Sequence, residues 1–312
     1  MTSQAPRGFL GTMEDDGGAG GHPGSAEPPR RDQGSSAPHG RAGRSARRAS
    51  WQDREGRPAD VYGDAECFED AVAYFDHQLA ESTPEFWSRC GGRPDVTDCR
   101  VLEIGCGHGA LSVDLARCGA TVVGVDLNTW RVDFANELVR ERYPQFDARL
   151  HFTATAAQDL PKDELFDFIV SKDTFEHVDD LDGLLESLYQ LLRPGGILIA
   201  GSTPLYWSPK GDHGRTGLRV PWLHSVLPRR VVLSAASRHQ GYAVRSFSDI
   251  GMNGYTPEQY RQIFDRSKFE QAQIAYNQGK RVSRVLDRFR GIAVLEKFVT
   301  TGFYLTFRRP LE

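Results

Sequence analysis

Three closely spaced glycines mark the part of this sequence with the clearest chemical use. Gly105, Gly107 and Gly109 follow a strand-like run that contains Glu103. Because glycine carries no Cβ atom, such a turn lets a ligand approach the bare backbone. Asp126 ends the next β-branched run, where its carboxylate can accept hydrogen bonds from both hydroxyls of a ribose. The pattern therefore predicts a nucleoside site, with capping of the following helix as the alternative role of Asp126.

A second group of reactive side chains, Asp173, Glu176 and His177, follows a later apolar run. An imidazole can act as a general base or position a reacting group. Since parallel strands end at a common sheet edge, these residues are predicted to face the same ligand as the glycine turn. We predict catalytic roles for His177 and Asp173, and for His213 in a later segment.

The segments that must position these residues alternate between strands and helices. Such alternation predicts a parallel sheet covered on both faces by helices. The predicted strands are 100–104, 121–126, 149–153, 166–171, 197–201, 269–275 and 303–308. The predicted helices are 110–118, 129–142, 181–192, 257–264 and a helical stretch at 282–299. The segment 193–196, Arg-Pro-Gly-Gly, is predicted to be the turn between a helix and the fifth strand.

Composition divides the chain into a tail and a folded domain. Residues 1–57 are rich in Gly, Pro, Ser and Arg, which predicts a disordered tail because little apolar surface can be buried. Residues 58–312 form the predicted domain, with N-terminal helices at 66–90. The insertion at 202–255 is too long for an ordinary connection, so we predict a substrate lid.

Charge and cysteine content limit the classes of function. The net charge of −4 gives no broad electrostatic case for nucleic acid or an anionic membrane. The sequence has no apolar run of the roughly 20 residues that span a bilayer. Five cysteines without metal-type spacing predict a reduced, cytoplasmic protein. The sequence does not indicate an oligomeric state.

The run Val-Leu-Glu-Ile-Gly-Cys-Gly-His-Gly at 101–109 resembles motif I of the class I S-adenosylmethionine-dependent methyltransferases. The G-x-G-x-G spacing differs from the G-x-G-x-x-G of dinucleotide sites. The resemblance covers about 95–205 well and the C-terminal end loosely. It implies a Rossmann-like, doubly wound α/β fold with a seven-stranded, mostly parallel sheet in the order 3-2-1-4-5-7-6.

The resemblance also implies S-adenosylmethionine as cofactor and a role for each residue near it. The glycines and Cys106 would line the methionine and ribose portions, Glu103 would support the loop or the amino group, and Asp126 would hold the ribose. Leu127 would pack on adenine. Gln158 and Asp159 would lie near the adenine, and Lys172 near the methionine end.

The D-x-x-E-H spacing of Asp173, Glu176 and His177 is similar to the E-x-x-E-H of small-RNA 2′-O-methyltransferases and some ubiquinone-pathway O-methyltransferases. In those families the carboxylates and histidine bind a divalent metal, together with a later histidine. The resemblance implies a site for Mg or Mn that includes His213, with His224 as the alternative. Capping of a helix or orientation of the loop is the alternative role of the Glu-His pair.

We therefore predict a methyltransferase that acts on a small-molecule acceptor, at a hydroxyl oxygen. Methylation of RNA at 2′-oxygens is one alternative, indicated by the D-x-x-E-H resemblance and a basic tail. A non-catalytic, methyltransferase-like partner subunit is another. The intact glycine turn and ribose acid favour an enzyme.

Overall fold

The structure is a computed structural model that describes residues 68–278 and 281–311. The predicted tail 1–57 lies outside the described residues. The strands are β1 Arg100–Ile104, β2 Thr121–Asp126, β3 Leu150–Ala154, β4 Phe166–Lys172, β5 Leu192–Ser202, β6 Glu270–Tyr276 and β7 Phe303–Arg308. The first five α-helices are α1 Phe68–His77, α2 Thr83–Arg89, α3 Ala110–Arg117, α4 Thr129–Arg142 and α5 Leu181–Leu191. The remaining α-helices are α6 Leu223–Val226, α7 Arg229–Gln240, α8 Pro257–Arg266, α9 Arg281–Asp287 and α10 Ala293–Val299.

The seven strands form one sheet in the order β3-β2-β1-β4-β5-β7-β6, which confirms the predicted fold class. The first five strands pair in parallel, and β7 is antiparallel to both β5 and β6. Strand order reverses between β1 and β4, where Val101 is in register with Phe168. A crevice therefore opens beyond the carboxyl ends of these two strands.

Two apolar clusters cover the two faces of the sheet. The cluster on one face includes Val101, Val122 and the α4 residues Phe134 and Leu138. The cluster on the other face includes Leu102 and a row of leucines along α5. Alternate residues of a strand point to opposite faces, so neighbouring positions of β1 enter different clusters.

Strand β5 begins earlier than the sequence indicated. The prediction of a free turn at 193–196 was wrong, because β5 already starts at Leu192. Pairing shifts from Phe166–Leu192 to Phe168–Ile197, so the extra residues form a bulge within the strand. Gly195 has φ +78°, a conformation that suits glycine in such a bulge.

The insertion and the C-terminal region both contain helices. The insertion 202–255 includes α6 and α7 and a small apolar cluster around Tyr206, Ile250 and Met252. The predicted helical stretch at 282–299 is divided into α9 and α10. Within the described ranges, no helix has both the length and the apolar character required to cross a bilayer.

Candidate functional site

A cavity of about 630 Å³ lies at the carboxyl ends of β1, β2 and β4. The glycine turn, the ends of β2 and β4, the N-terminal helices and the insertion all contribute to its wall. Of the predicted cofactor residues, its lining contains Glu103, Gly105, Cys106, Gly107, Asp126, Leu127, Gln158 and Lys172. Of the predicted catalytic residues, it contains Asp173, His177 and His213.

The glycine turn presents bare backbone to this cavity. Gly107 has φ +51°, and a Cβ atom built on it would meet nothing within 4 Å, so its open side faces free space. Gly105, at φ +70°, has the opposite surroundings, because a side chain there would collide with Thr174. Gly109 does not line the cavity but precedes α3 as its N-cap in the left-handed conformation. The turn thus combines close packing on one side with an open approach on the other.

Asp126 is fixed by two backbone hydrogen bonds at the edge of the cavity. Gly107 N donates to its Oδ2 and Asn128 N to its Oδ1, each over 2.9 Å. Each carboxylate oxygen can accept further hydrogen bonds, so both remain able to receive a diol. The N-cap of α4 is Asn128, whose side chain accepts from Arg131 N. The helix-cap alternative for Asp126 was therefore wrong.

The other predicted cofactor residues differ in exposure. Glu103 is buried beside the Ser112 hydroxyl, and burial raises the pKa of its carboxyl to about 8. Leu127 is 54% exposed and presents an apolar surface to the cavity. Asp159 is exposed and lies outside the cavity lining, whereas its neighbour Gln158 belongs to it.

Lys172 and Asp173 lie where β4 ends, between the cavity and the N-terminal helices. Lys172 Nζ donates to Gln78 Oε1 over 2.6 Å and lies 3.5 Å from Asp173 Oδ2. Asp173 has φ +52°, a backbone conformation that is uncommon for any residue with a Cβ atom. Strain of this kind is concentrated at functional sites and persists where surrounding contacts hold it.

Glu176, His177 and His213 form a compact cluster, of which the two histidines line the cavity. Each offers one ligand atom, and these atoms lie within 4.8 Å of one another. Glu176 is completely buried, and within the described ranges its two carboxylate oxygens have no hydrogen-bond partner. Burial, with a contribution from Asp173, raises the pKa of Glu176 to about 8.

Backbone contacts fix the tautomers of both imidazoles. His177 Nδ1 lies 2.5 Å from Gly251 O, and His213 Nε2 lies 2.9 Å from Pro204 O. A carbonyl oxygen only accepts, so each of these nitrogens carries the proton, leaving a lone pair on His177 Nε2 and His213 Nδ1. Burial and the nearby Arg215 lower the pKa of His177, and burial lowers the pKa of His213 to about 4. Both rings are therefore neutral at pH 7.

This cluster is smaller than the predicted metal set. Asp173, which follows β4 and has its Oδ2 3.5 Å from Lys172 Nζ, is not among the grouped ligands. The alternative ligand His224 is also outside the group. Its Nε2 contacts Tyr206 O over 2.6 Å inside the insertion.

The insertion holds the turn that carries Glu176 and His177. Asn253 Nδ2 donates to Phe175 O over 2.7 Å and to Val178 O over 3.1 Å. Arg215 Nη1 donates to Ile250 O and Gly251 O. Gly251 O is also the oxygen that fixes His177, so the insertion and the turn with Glu176 and His177 share one hydrogen-bond network.

Several residues of the cavity wall carried no signal in the sequence. Tyr74, Gln78 and Thr83 reach it from the N-terminal helices, and Arg215 reaches it from the insertion. Their helical or loop patterns indicate secondary structure without indicating which cavity they face. Trp207 and Trp222 stand outside the lining and donate instead to Gly254 O and Phe298 O.

The sheet order, the open glycine turn and the Asp126 carboxylate that accepts from Gly107 N define a class I S-adenosylmethionine-dependent methyltransferase. A family model described as a methyltransferase domain matches residues 75–274, and the chain belongs to that family.

Two O-methyltransferases are similar to this chain in sequence. The chain is 35% identical over 130 residues to the ubiquinone biosynthesis O-methyltransferase of Agrobacterium fabrum, covering 36% of this chain and 51% of that protein. It is 30% identical over 154 residues to the mitochondrial ubiquinone biosynthesis O-methyltransferase of Rattus norvegicus, covering 48% of this chain and 42% of that protein. The chain thus spans about half the length of these relatives.

A solved structure has the same fold. The S-adenosylmethionine-dependent methyltransferase from Mesorhizobium loti matches with a TM-score of 0.50 and 19% identity, covering 74% of this chain and 100% of that chain. At this level of identity the likeness concerns the fold alone.

Proposed function

We propose that this protein transfers a methyl group to a hydroxyl oxygen of a small molecule. The observation that carries the proposal is the pair of neutral imidazoles facing the same cavity as the glycine turn and Asp126. The relatives named as O-methyltransferases support oxygen as the acceptor atom. Their names favour a small molecule over the RNA alternative.

The cofactor half of the cavity fits the nucleoside of S-adenosylmethionine. Asp126 accepts hydrogen bonds from the ribose hydroxyls, and Leu127 packs on the adenine. The open side of Gly107 lets the ligand lie against the backbone of the turn. When bound, S-adenosylmethionine supplies an electrophilic methyl group on a sulfonium sulfur. Lys172, beside Gln78, provides a positive charge for the methionine end.

His177 is the proposed proton acceptor. Its Nδ1 proton is held by Gly251 O, so Nε2 is the free basic atom. Nε2 would accept the proton that the acceptor hydroxyl loses when it is methylated. In-line positioning of the acceptor supplies most of the remaining rate enhancement.

As an alternative to a free His177 base, the Glu176, His177 and His213 cluster fits a divalent metal, because both roles need the unprotonated ring nitrogen of His177. Glu176, whose carboxyl has no hydrogen-bond partner among the described residues, would supply one ligand, and His177 and His213 would supply two more. Each imidazole donates one ring N–H to a backbone carbonyl, as ligating histidines do. Of Mg and Mn, two imidazoles favour Mn. A bound metal would supply a Lewis acid that lowers the pKa of the acceptor hydroxyl.

The test is an assay for S-adenosylhomocysteine formation against a panel of phenols, catechols and sugars, with mass spectrometry of the methylated product. We expect methyl ethers from one group of acceptors. Chelator treatment followed by Mn²⁺ distinguishes a free His177 base from a metal-assisted reaction. Loss of activity in chelator and recovery with Mn²⁺ supports the metal, and full activity in chelator excludes it. Methylation only at nitrogen or carbon would contradict the proposal.

We also propose a cytoplasmic location. Cys90, Cys99, Cys106 and Cys118 are free thiols, which agrees with a reducing compartment.

A further inference from the structure

Exposed apolar side chains concentrate in two short segments of the molecule. In the insertion, Val220, Val226 and Val231 are 60%, 63% and 46% exposed. These residues lie in and around α6 and at the start of α7. Scattered single valines need no explanation, but three within twelve positions form a surface.

The second segment comprises α9, α10 and the residues between them. Its exposed fractions range from 37% for Leu295 to 79% for Val294. Val285, Phe289 and Ile292 lie between these values, at 52%, 45% and 49%. No other segment of the described chain exposes as many large apolar residues.

The two segments meet and form one surface. We call it the lid–tail surface, where lid means the insertion and tail means the C-terminal segment with α9 and α10, not residues 1–57. Trp222 Nε1, from the insertion, donates to Phe298 O of α10 over 2.7 Å. Lys297 Nζ lies 4.7 Å from the ring centroid of Trp207, a further contact between insertion and tail. Val220 and Val226 flank Trp222 in sequence, and Val294 and Leu295 lie within one turn of Phe298.

The charge of the lid–tail surface is opposite to that of the whole chain. Residues 219–231 contain three arginines and no acidic residue. Residues 284–297 contain four cations and two acids, and both acids are paired, Asp287 with Arg290 and Glu296 with Arg261. The chain as a whole carries −4.

We propose that the lid–tail surface binds the face of an anionic phospholipid bilayer without crossing it. Apolar side chains of this size enter the boundary between headgroups and acyl chains, and surrounding arginines contact the lipid phosphates. A second copy of the chain would bring like charges together. A polynucleotide would pair with the arginines but leave the valines and Phe289 in water.

The experiment uses the full chain and sedimentation with lipid vesicles. Vesicles of phosphatidylglycerol and phosphatidylcholine in equal parts are compared with vesicles of phosphatidylcholine alone. We expect binding to the anionic vesicles, weakened by added salt, and little binding to the neutral ones. Equal binding to both, or none to either, would overturn the proposal.

Two variants with matched controls locate the contact. Val294→Glu should reduce partitioning about tenfold, whereas Leu311→Glu, an equally exposed residue outside the surface, should not. Arg230→Glu should have a similar effect, and Arg140→Glu on α4 should have none. Equal losses in variant and control would contradict the assignment.

Further measurements distinguish the other occupants. If the chain formed concentration-dependent dimers and Val294→Glu abolished them, the occupant of the surface would be a second copy of the chain and not a lipid bilayer. Binding to an RNA oligonucleotide but not to vesicles would replace it with nucleic acid. Binding of S-adenosylhomocysteine should be unchanged in all four variants, so failure of lipid binding is separable from failure of the proposed methyl transfer.

Discussion

The two halves of the cavity are built in different ways. In the cofactor half, the glycine turn and Asp126 follow directly from the ends of β1 and β2, and backbone atoms make the contacts. In the proposed acceptor half, side chains arrive from the turn after β4 and from the insertion. A short sequence motif can therefore specify the first half, whereas only the complete tertiary structure assembles the second. Separate variants should damage one half without the other.

The largest expected effect is on turnover in the acceptor half. His177→Ala removes the free imidazole nitrogen, so kcat should fall at least about 100-fold, as for loss of a general base. Affinity for S-adenosylhomocysteine, measured by calorimetry, should stay near that of the wild type. His151→Ala, at an exposed histidine of β3, is the control and should change neither quantity. A parallel loss of turnover and cofactor affinity would indicate that the two halves are not independent.

The converse variant lies in the cofactor half. Asp126→Ala removes the carboxylate that accepts from Gly107 N and faces the ribose. Affinity for S-adenosylhomocysteine should fall roughly 10- to 100-fold, because hydrogen bonds to a charged group are worth about 1.5–3 kcal/mol. Asp133→Ala, at an exposed position of α4, serves as the matched control. Unchanged affinity in Asp126→Ala would refute the ribose role.

A smaller effect is expected where the insertion holds the catalytic turn. Asn253→Ala loses the hydrogen bonds to Phe175 O and Val178 O, so kcat should fall roughly two- to tenfold with cofactor affinity unchanged. Asn136→Ala also loses a side-chain to backbone bond, from Nδ2 to Phe152 O, but lies on α4 outside the cavity lining. Its acceptor kinetics should match the wild type. If Asn253→Ala had the same kcat as Asn136→Ala, the hydrogen bonds from the insertion would have no part in catalysis.

The smallest effect concerns stability against pH. Burial raises the pKa of Glu103 from 4.5 to about 8, so the folded state binds a proton that the unfolded state loses. Its stabilisation is complete below pH 4.5 and is lost as pH rises through 8. Glu103→Gln should therefore match the wild type at pH 4 and exceed its melting temperature by a few degrees at pH 8.5. A difference that is constant with pH would contradict the assignment.

The sequence predicted the sheet and the cofactor half from local patterns. The β-branched runs, the glycines and Asp126 lie within about two dozen residues, and parallel strands place their ends together. Even there, Asp159 falls outside the cavity lining, at the end of a 3-10 turn, Ala157–Asp159, whose other two residues belong to it. The bulge in β5 was missed because Pro194 and the two glycines are equally typical of a turn.

The acceptor half was predicted only in part. The sequence placed Asp173 with Glu176, His177 and His213 and gave no reason to include Arg215, whereas the structure groups the two histidines with Glu176 alone. Spacing along the chain indicates which residues leave a strand end together. It does not indicate the directions of their side chains: Asp173 has a positive φ and is not grouped with the three ligands, although its charge still acts on Glu176.

A crystal structure with S-adenosylhomocysteine would test the central claim most directly. The account predicts the ribose at Asp126, the backbone of Gly107 against the ligand, and the sulfur directed toward the cluster of Glu176, His177 and His213. A ligand bound elsewhere, or with its sulfur directed toward Leu127 and away from the cluster, would contradict it.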